Sequence, residues 1–178
     1  MNILKYFKNI FWLIFLSSLA LSANAEDNEI AKDKVVDTEF NFFTGNFDFS
    51  DHKQKAIYYG FQHQNEQLER ETFMGNMSPI TGGFITENSA AYLYTGVEWN
   101  YDLGNKMKFT PSFAPGLYSE GDGKDLGHIL EFKTEMQASY NFSEKNSFGV
   151  SYNHVSNASL GDKNPGANSY EFNFLRKF

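Results

Sequence analysis

Ile129 to Phe142, ILEFKTEMQASYNF, is the stretch whose pattern decides the fold. Leu130, Phe132, Thr134, Met136, Ala138, Tyr140 and Phe142 share one parity, and Glu131, Lys133, Glu135, Gln137, Ser139 and Asn141 share the other. Side chains change face at every residue in a strand, whereas a helix would scatter both sets around its circumference. A soluble sandwich would bury the apolar set. A barrel in lipid turns that set outward and fills its lumen with the polar one. Alternation alone does not separate these two, so the choice passes to the ends of the chain.

At the start, Lys5 and Lys8 precede an apolar run from Ile10 to Leu21, and Ala23-Asn24-Ala25 follows as a small-x-small cleavage site. Residues 1–25 therefore read as a secretory signal peptide, and its apolar run is shorter than the roughly 20 residues that a membrane-spanning helix needs. Residues 26–35 read as a flexible N-terminal arm. At the other end, Tyr170, Phe172, Phe174 and the terminal Phe178 alternate up to the last residue. This pattern resembles the sorting signal of outer-membrane proteins. Both ends select the lipid alternative, an all-β, eight-stranded antiparallel transmembrane barrel over residues 36–178.

Composition agrees. Aromatic residues make up 17% of the chain, with 19 Phe and 10 Tyr, which favours strands. The net charge of −7 grows more negative once a leader with two lysines and no acid is removed, and this argues against a nucleic-acid partner. The absence of cysteine leaves stability to the closed sheet. Strands are expected at 36–48, 54–64, 71–80, 90–102, 106–118, 129–142, 146–156 and 167–178. The third should bulge or stop near Pro79 and Gly82-Gly83. Residues 102–105 and 143–146 become periplasmic turns, and 119–128 and 157–166 become long extracellular loops. Eight strands enclose a space that side chains fill, which disfavours a pore.

One cluster carries chemistry. His154 and Ser156 lie two apart, so a strand puts them on one face, together with Phe148, Val150 and Tyr152. That face meets lipid, where an imidazole and a hydroxyl are costly unless they sit at the interface or pair. At the outer end of the strand, Ser156 has the chemistry of a nucleophile and His154 that of its base, with a backbone N–H or the Asn157 amide as oxyanion donor. By spacing alone, ordinary interface residues are the better account, because a His-x-Ser pair often arises by chance. His52 and His63 lack ligand-spaced partners, and 121–128 lacks the spaced carboxylates of a calcium loop. No metal or organic cofactor is implied. Lys124 and Lys163 read as loop lysines, either solvated or in contact with lipid phosphates.

His154-Val155-Ser156-Asn157-Ala158-Ser159-Leu160, followed by Asn164-Pro165-Gly166, resembles the signature of the lipid A 3-O-deacylase family. Thr110-Pro111-Ser112-Phe113, Gly116-Leu117-Tyr118, the run from Glu120 to His128, and Leu130-Glu131-Phe132 are similar to it as well. The resemblance is specific over 110–178 and looser over 36–105. It implies an eight-stranded outer-membrane barrel of a Gram-negative bacterium, a lipid-facing Ser156–His154 pair, and lipid A or lipopolysaccharide as substrate in outer-membrane lipid. A homodimer is left open. The family's third member is a Glu, and Asn168 stands at its position here. Asn168 faces outward by parity and an amide can still orient an imidazole. Glu171 has the opposite parity, and Asp162 in the preceding loop is a further carboxylate. Two readings follow: a lipid A ester hydrolase, or a catalytically weakened or inactive structural or lipid-binding barrel.

Overall fold

The computed structural model describes residues 38–51 and 54–178. The signal peptide and N-terminal arm inferred above, and His52, lie outside the described residues. The strands are β1 (Thr38–Phe47), β2 (Ala56–Asn65), β3 (Arg70–Thr72), β4 (Gly75–Thr86), β5 (Ala91–Gly104), β6 (Met107–Ser119), β7 (Leu130–Asn141), β8 (Asn146–Ser156) and β9 (Ala167–Lys177). Every pairing is antiparallel. β1 pairs with both β2 and β9, and β2 pairs with β4, so eight strands close on themselves. The three-residue β3 only extends one side of β4.

Seven of the eight barrel strands begin and end within two residues of the sequence-based bounds. The third is the correction: it runs without a break from Gly75 to Thr86, through Pro79 and the glycine pair. The β2 ladder on β4 ends at Ile80 and the β3 ladder begins at Met77. Pro79 thus falls in a gap where no strand pairs on that side, and a missing N–H costs least there. Gly82 makes room for a ring, since a Cβ there would meet the Tyr94 hydroxyl at 2.6 Å.

The alternation is inverted relative to a soluble protein. Phe42, Tyr59, Phe61, Met136, Phe148, Val150 and Phe172 are exposed, while Gln62, Glu135, Gln137, Ser139, Ser151, Asn153, Glu171 and Asn173 are buried. In the lumen, Lys133 Nζ lies 2.7 Å from Glu135 and 3.8 Å from Glu171. Glu171 also accepts from the Tyr58 hydroxyl at 2.6 Å, Asn153 at 2.7 Å and Ser151 at 2.8 Å.

The lumen is not polar throughout. At the end carrying the 157–166 loop, Phe47, Tyr58, Phe84, Tyr92, Tyr118, Leu126 and Val155 form a buried apolar plug. Most of its rings meet edge-on or tilted, as at Tyr58–Phe84 with centroids 5.1 Å apart, while Phe47 and Tyr118 stack at 6.3 Å. Loop lengths depart partly from the expected asymmetry. The link over 87–90 at the plugged end has four residues, whereas 66–74 at the opposite end holds a 3-10 turn (Glu66–Leu68) and β3.

Two substitutions probe this layout. Lys133→Met strands two carboxylates and is expected to destabilise the barrel by about 3–5 kcal/mol. Phe172→Arg, on the lipid face, is expected to cost about 2–4 kcal/mol. Urea unfolding in lipid vesicles, followed by heat-modifiable gel mobility, measures both.

Candidate active site

β8 delivers three polar groups to the outer face in step. Tyr152, His154 and Ser156 point outward, while Ser151, Asn153, Val155 and Asn157 between and beyond them are buried. β9 runs beside β8 in a register that sets His154 directly opposite Asn168 and Tyr152 opposite Tyr170. His154 Nδ1 lies 2.8 Å from Asn168 Oδ1. The Tyr152 hydroxyl donates to the same oxygen at 2.7 Å. An amide oxygen facing the ring requires the proton on Nδ1, which leaves the Nε2 lone pair free to act as a base. Ser156 is the last residue of β8, two positions from His154 on the same face and opposite Phe132. That spacing separates the two Cα atoms by about 6.6 Å. Among the described residues no hydrogen bond joins Ser156 to His154, a contact that catalytic pairs commonly tighten only around substrate.

Asn168 is also fixed through its main chain. Its N–H donates to Asp48 Oδ1 at 3.3 Å, and its carbonyl accepts from Phe49 N–H at 2.9 Å. Asp48 in turn is ion-paired with Lys124. Lys124 is therefore neither a solvated lysine nor a phosphate contact: it is buried, and Asp48 takes up its charge. Lys163 is the exposed loop lysine. It bonds Asp125 at 2.5 Å, and this ammonium, helped by the Gly127 N–H, holds the Asp125 carboxyl below its usual range.

Asn157 does not join the site face. Its side chain is fully buried, and its amide donates to the carbonyls of Leu126 and Lys163, both at 2.8 Å. Its backbone N–H donates to Asn164 Oδ1. Both side-chain N–H groups are thus committed to tying the 120–129 and 157–166 loops together. Facing inward with both N–H groups bonded, the Asn157 amide is not placed to donate to an oxyanion on the outer face. Beyond Asn157, the next backbone amides along the chain after Ser156 belong to Ala158 and Ser159. These are the φ > 0 pair of a turn closed by Leu160 N–H on the Asn157 carbonyl at 3.0 Å. Glu171 faces the lumen, as its parity required, and is spent on the network there. Asp162 is exposed in its loop. His63 packs on Phe40, and His128 Nδ1 accepts from Leu130 N–H at 3.0 Å. Among the described residues no cluster of three His, Cys, Asp or Glu could hold a metal.

Sequence reasoning missed two features. Tyr152 shares the site's parity, but its bond to Asn168 runs diagonally across two strands, a neighbour relation that only the register supplies. Gly166 is the other. It sits at φ +62°, and a Cβ there would lie 2.8 Å from His154 Cε1. The Asn-Pro-Gly segment thus ends in a glycine because the chain needs a left-handed residue where the imidazole packs against it. Gly166→Ala is expected to drive the ring off Asn168 in an intact barrel. Altered His154 imidazole nitrogen shifts in NMR, with gel mobility unchanged, would register this.

The fold is similar to several solved barrels. The crystal structure of the outer membrane enzyme PagL superposes with a TM-score of 0.61 at 19% identity, covering 78% of this chain and 98% of that one. A de novo designed transmembrane β-barrel gives 0.57 at 10% identity, with 83% and 100% covered. Neisserial surface protein A gives 0.52 at 9% identity, with 80% and 96% covered. At these identities the likeness is one of fold. No curated protein matches the sequence. The family model described as "Lipid A 3-O-deacylase (PagL)" matches residues 57–176, two thirds of the chain. Sequence match and barrel together place the chain in the lipid A 3-O-deacylase (PagL) family of Gram-negative outer-membrane ester hydrolases.

Proposed function

We propose that this chain removes the ester-linked acyl chain at the 3 position of lipid A with Ser156 as nucleophile and His154 as general base. The observation that carries this reading is the 2.8 Å contact between His154 Nδ1 and Asn168 Oδ1 on the lipid face, with Ser156 two residues beyond His154 on the same face of β8. Lipid A enters from the side, within the outer leaflet, so the site lies where its substrate already is.

His154 Nε2 takes the Ser156 proton as Oγ attacks the ester carbonyl, and the carbonyl π electrons move onto oxygen. Backbone N–H groups of the Ala158–Ser159 turn are the donors nearest this oxyanion. Collapse expels the sugar alkoxide, which receives the proton from the imidazolium. Water, deprotonated by the same Nε2, then cleaves the acyl-serine and releases the fatty acid.

Asn168 sets the rate. It orients the imidazole but brings no charge to offset the imidazolium. In serine proteases the Asp→Asn change costs about 10⁴-fold largely because it installs the wrong tautomer. Here the amide oxygen faces Nδ1 and supports the right tautomer, so the penalty falls well below that. The second reading, a barrel with weakened or lost activity, draws on this same missing charge.

Mass spectrometry of lipid A from expressing cells tests both. Ser156→Ala and His154→Ala are expected to lower turnover on the order of 10⁴-fold. Asn168→Glu is expected to raise it about 10- to 100-fold, within the ceiling set by the protease precedent. Unmodified lipid A from cells carrying the folded native chain, unchanged by Asn168→Glu, would select the inactive barrel.

A further inference from the structure

We infer that Tyr152 is a positioning residue that lets a neutral Asn168 serve where a carboxylate would otherwise stand. The inference rests on the Ser156–His154–Asn168 reading above. It starts from a difference between an amide and a carboxylate. The two edges of a carboxylate are equivalent acceptors, so either one keeps the proton on Nδ1. An amide has an oxygen edge and an N–H edge. Turned over, Asn168 would aim N–H at His154 Nδ1. The proton would then reside on Nε2, and the lone pair needed to deprotonate Ser156 would be gone. A chain with Asn at this position must therefore choose an edge.

The surroundings of Asn168 supply one chooser. Its Oδ1 takes two donors, His154 Nδ1–H at 2.8 Å and the Tyr152 hydroxyl at 2.7 Å. A phenol is a strong donor and a poor acceptor, because its oxygen lone pair is delocalised into the ring. The edge of Asn168 that Tyr152 faces is therefore better filled by oxygen than by N–H. The ring of Tyr152 is itself held in place, tilted against Tyr170 with centroids 5.4 Å apart, and Tyr170 packs on Phe49 at 4.5 Å. The main chain of Asn168 is anchored separately by Asp48 and Phe49, so the side-chain amide is the part left to be set.

The test has an arm that needs no turnover. Imidazole nitrogen NMR of the refolded barrel in lipid bicelles reports the His154 tautomer. The native chain is expected to hold the proton on Nδ1. Tyr152→Phe is expected to move a measurable share to Nε2, and Tyr152→Phe combined with Asn168→Asp is expected to restore Nδ1. A Nδ1 tautomer unchanged in Tyr152→Phe overturns the inference. The kinetic arm uses lipid A in mixed micelles. Tyr152→Phe is expected to lower kcat about tenfold with little change in KM, and this loss is expected to shrink at least fivefold in the Asn168→Asp chain. An equal loss in both backgrounds would mark Tyr152 as packing only and overturn the inference. If Ser156→Ala retains native turnover, the site reading itself fails and the inference falls with it; that result is distinct from a tautomer that ignores Tyr152.

Discussion

Hydrocarbon offers a backbone nothing to bond to, and that constraint governs this chain. Each peptide N–H and C=O left unpaired in lipid costs several kcal/mol. The sheet therefore has to close, and it closes where β1 meets β9 in unbroken register from Glu39–Lys177 to Asn46–Tyr170. Closure fixes parity on all eight strands at once. With parity fixed, every second residue is assigned to lipid and every other to the lumen, which decides where a serine and a histidine can meet a lipid substrate.

The part of the fold that was legible in the sequence is the part that depends on period two. β7 announces itself because charged and apolar residues take strict turns there. The same parity put His154, Ser156 and Asn168 on one face and Glu171 on the other, and the register bears this arrangement out. What escaped the sequence depends on distances between strands. The aromatic plug was hidden because Tyr58, Tyr92 and Tyr94 look like lipid-facing residues by type, and only the register turns them inward. Lys124 looked solvated because a loop lysine usually is, and its burial depends on Asp48, 76 residues away in sequence. β4 was misjudged because Pro79 was weighed as though both its sides were paired.

Plug and site belong together physically. A polar lumen at that end would admit water beneath the loops and let them move. Instead, Leu126 is buried against the plug from above, the Asn157 amide binds the two neighbouring loops to each other, and Asp48 and Lys124 neutralise one another under Asn168. The polar groups on the lipid face are tolerable for the same reason. The Tyr152 hydroxyl and His154 Nδ1–H both donate to Asn168 Oδ1, so part of the cost of turning these groups toward hydrocarbon is offset locally. The fold that excludes water from the barrel wall thus keeps a small hydrogen-bonded cluster rigid at its rim.

Asn168 sits on the seam of the barrel. His154 reaches it from β8, within one hairpin, but its backbone amide and carbonyl are gripped by Asp48 and Phe49, just past the end of β1. Until the first and last strands have met, nothing holds that residue from the far side. Closure of the barrel thus adds the outer clamp on the Asn168 main chain to a cluster that the β8–β9 hairpin already brings together. The strand that seals the barrel and the residues that pin Asn168 are one continuous segment, so the seam and the cluster share an anchor.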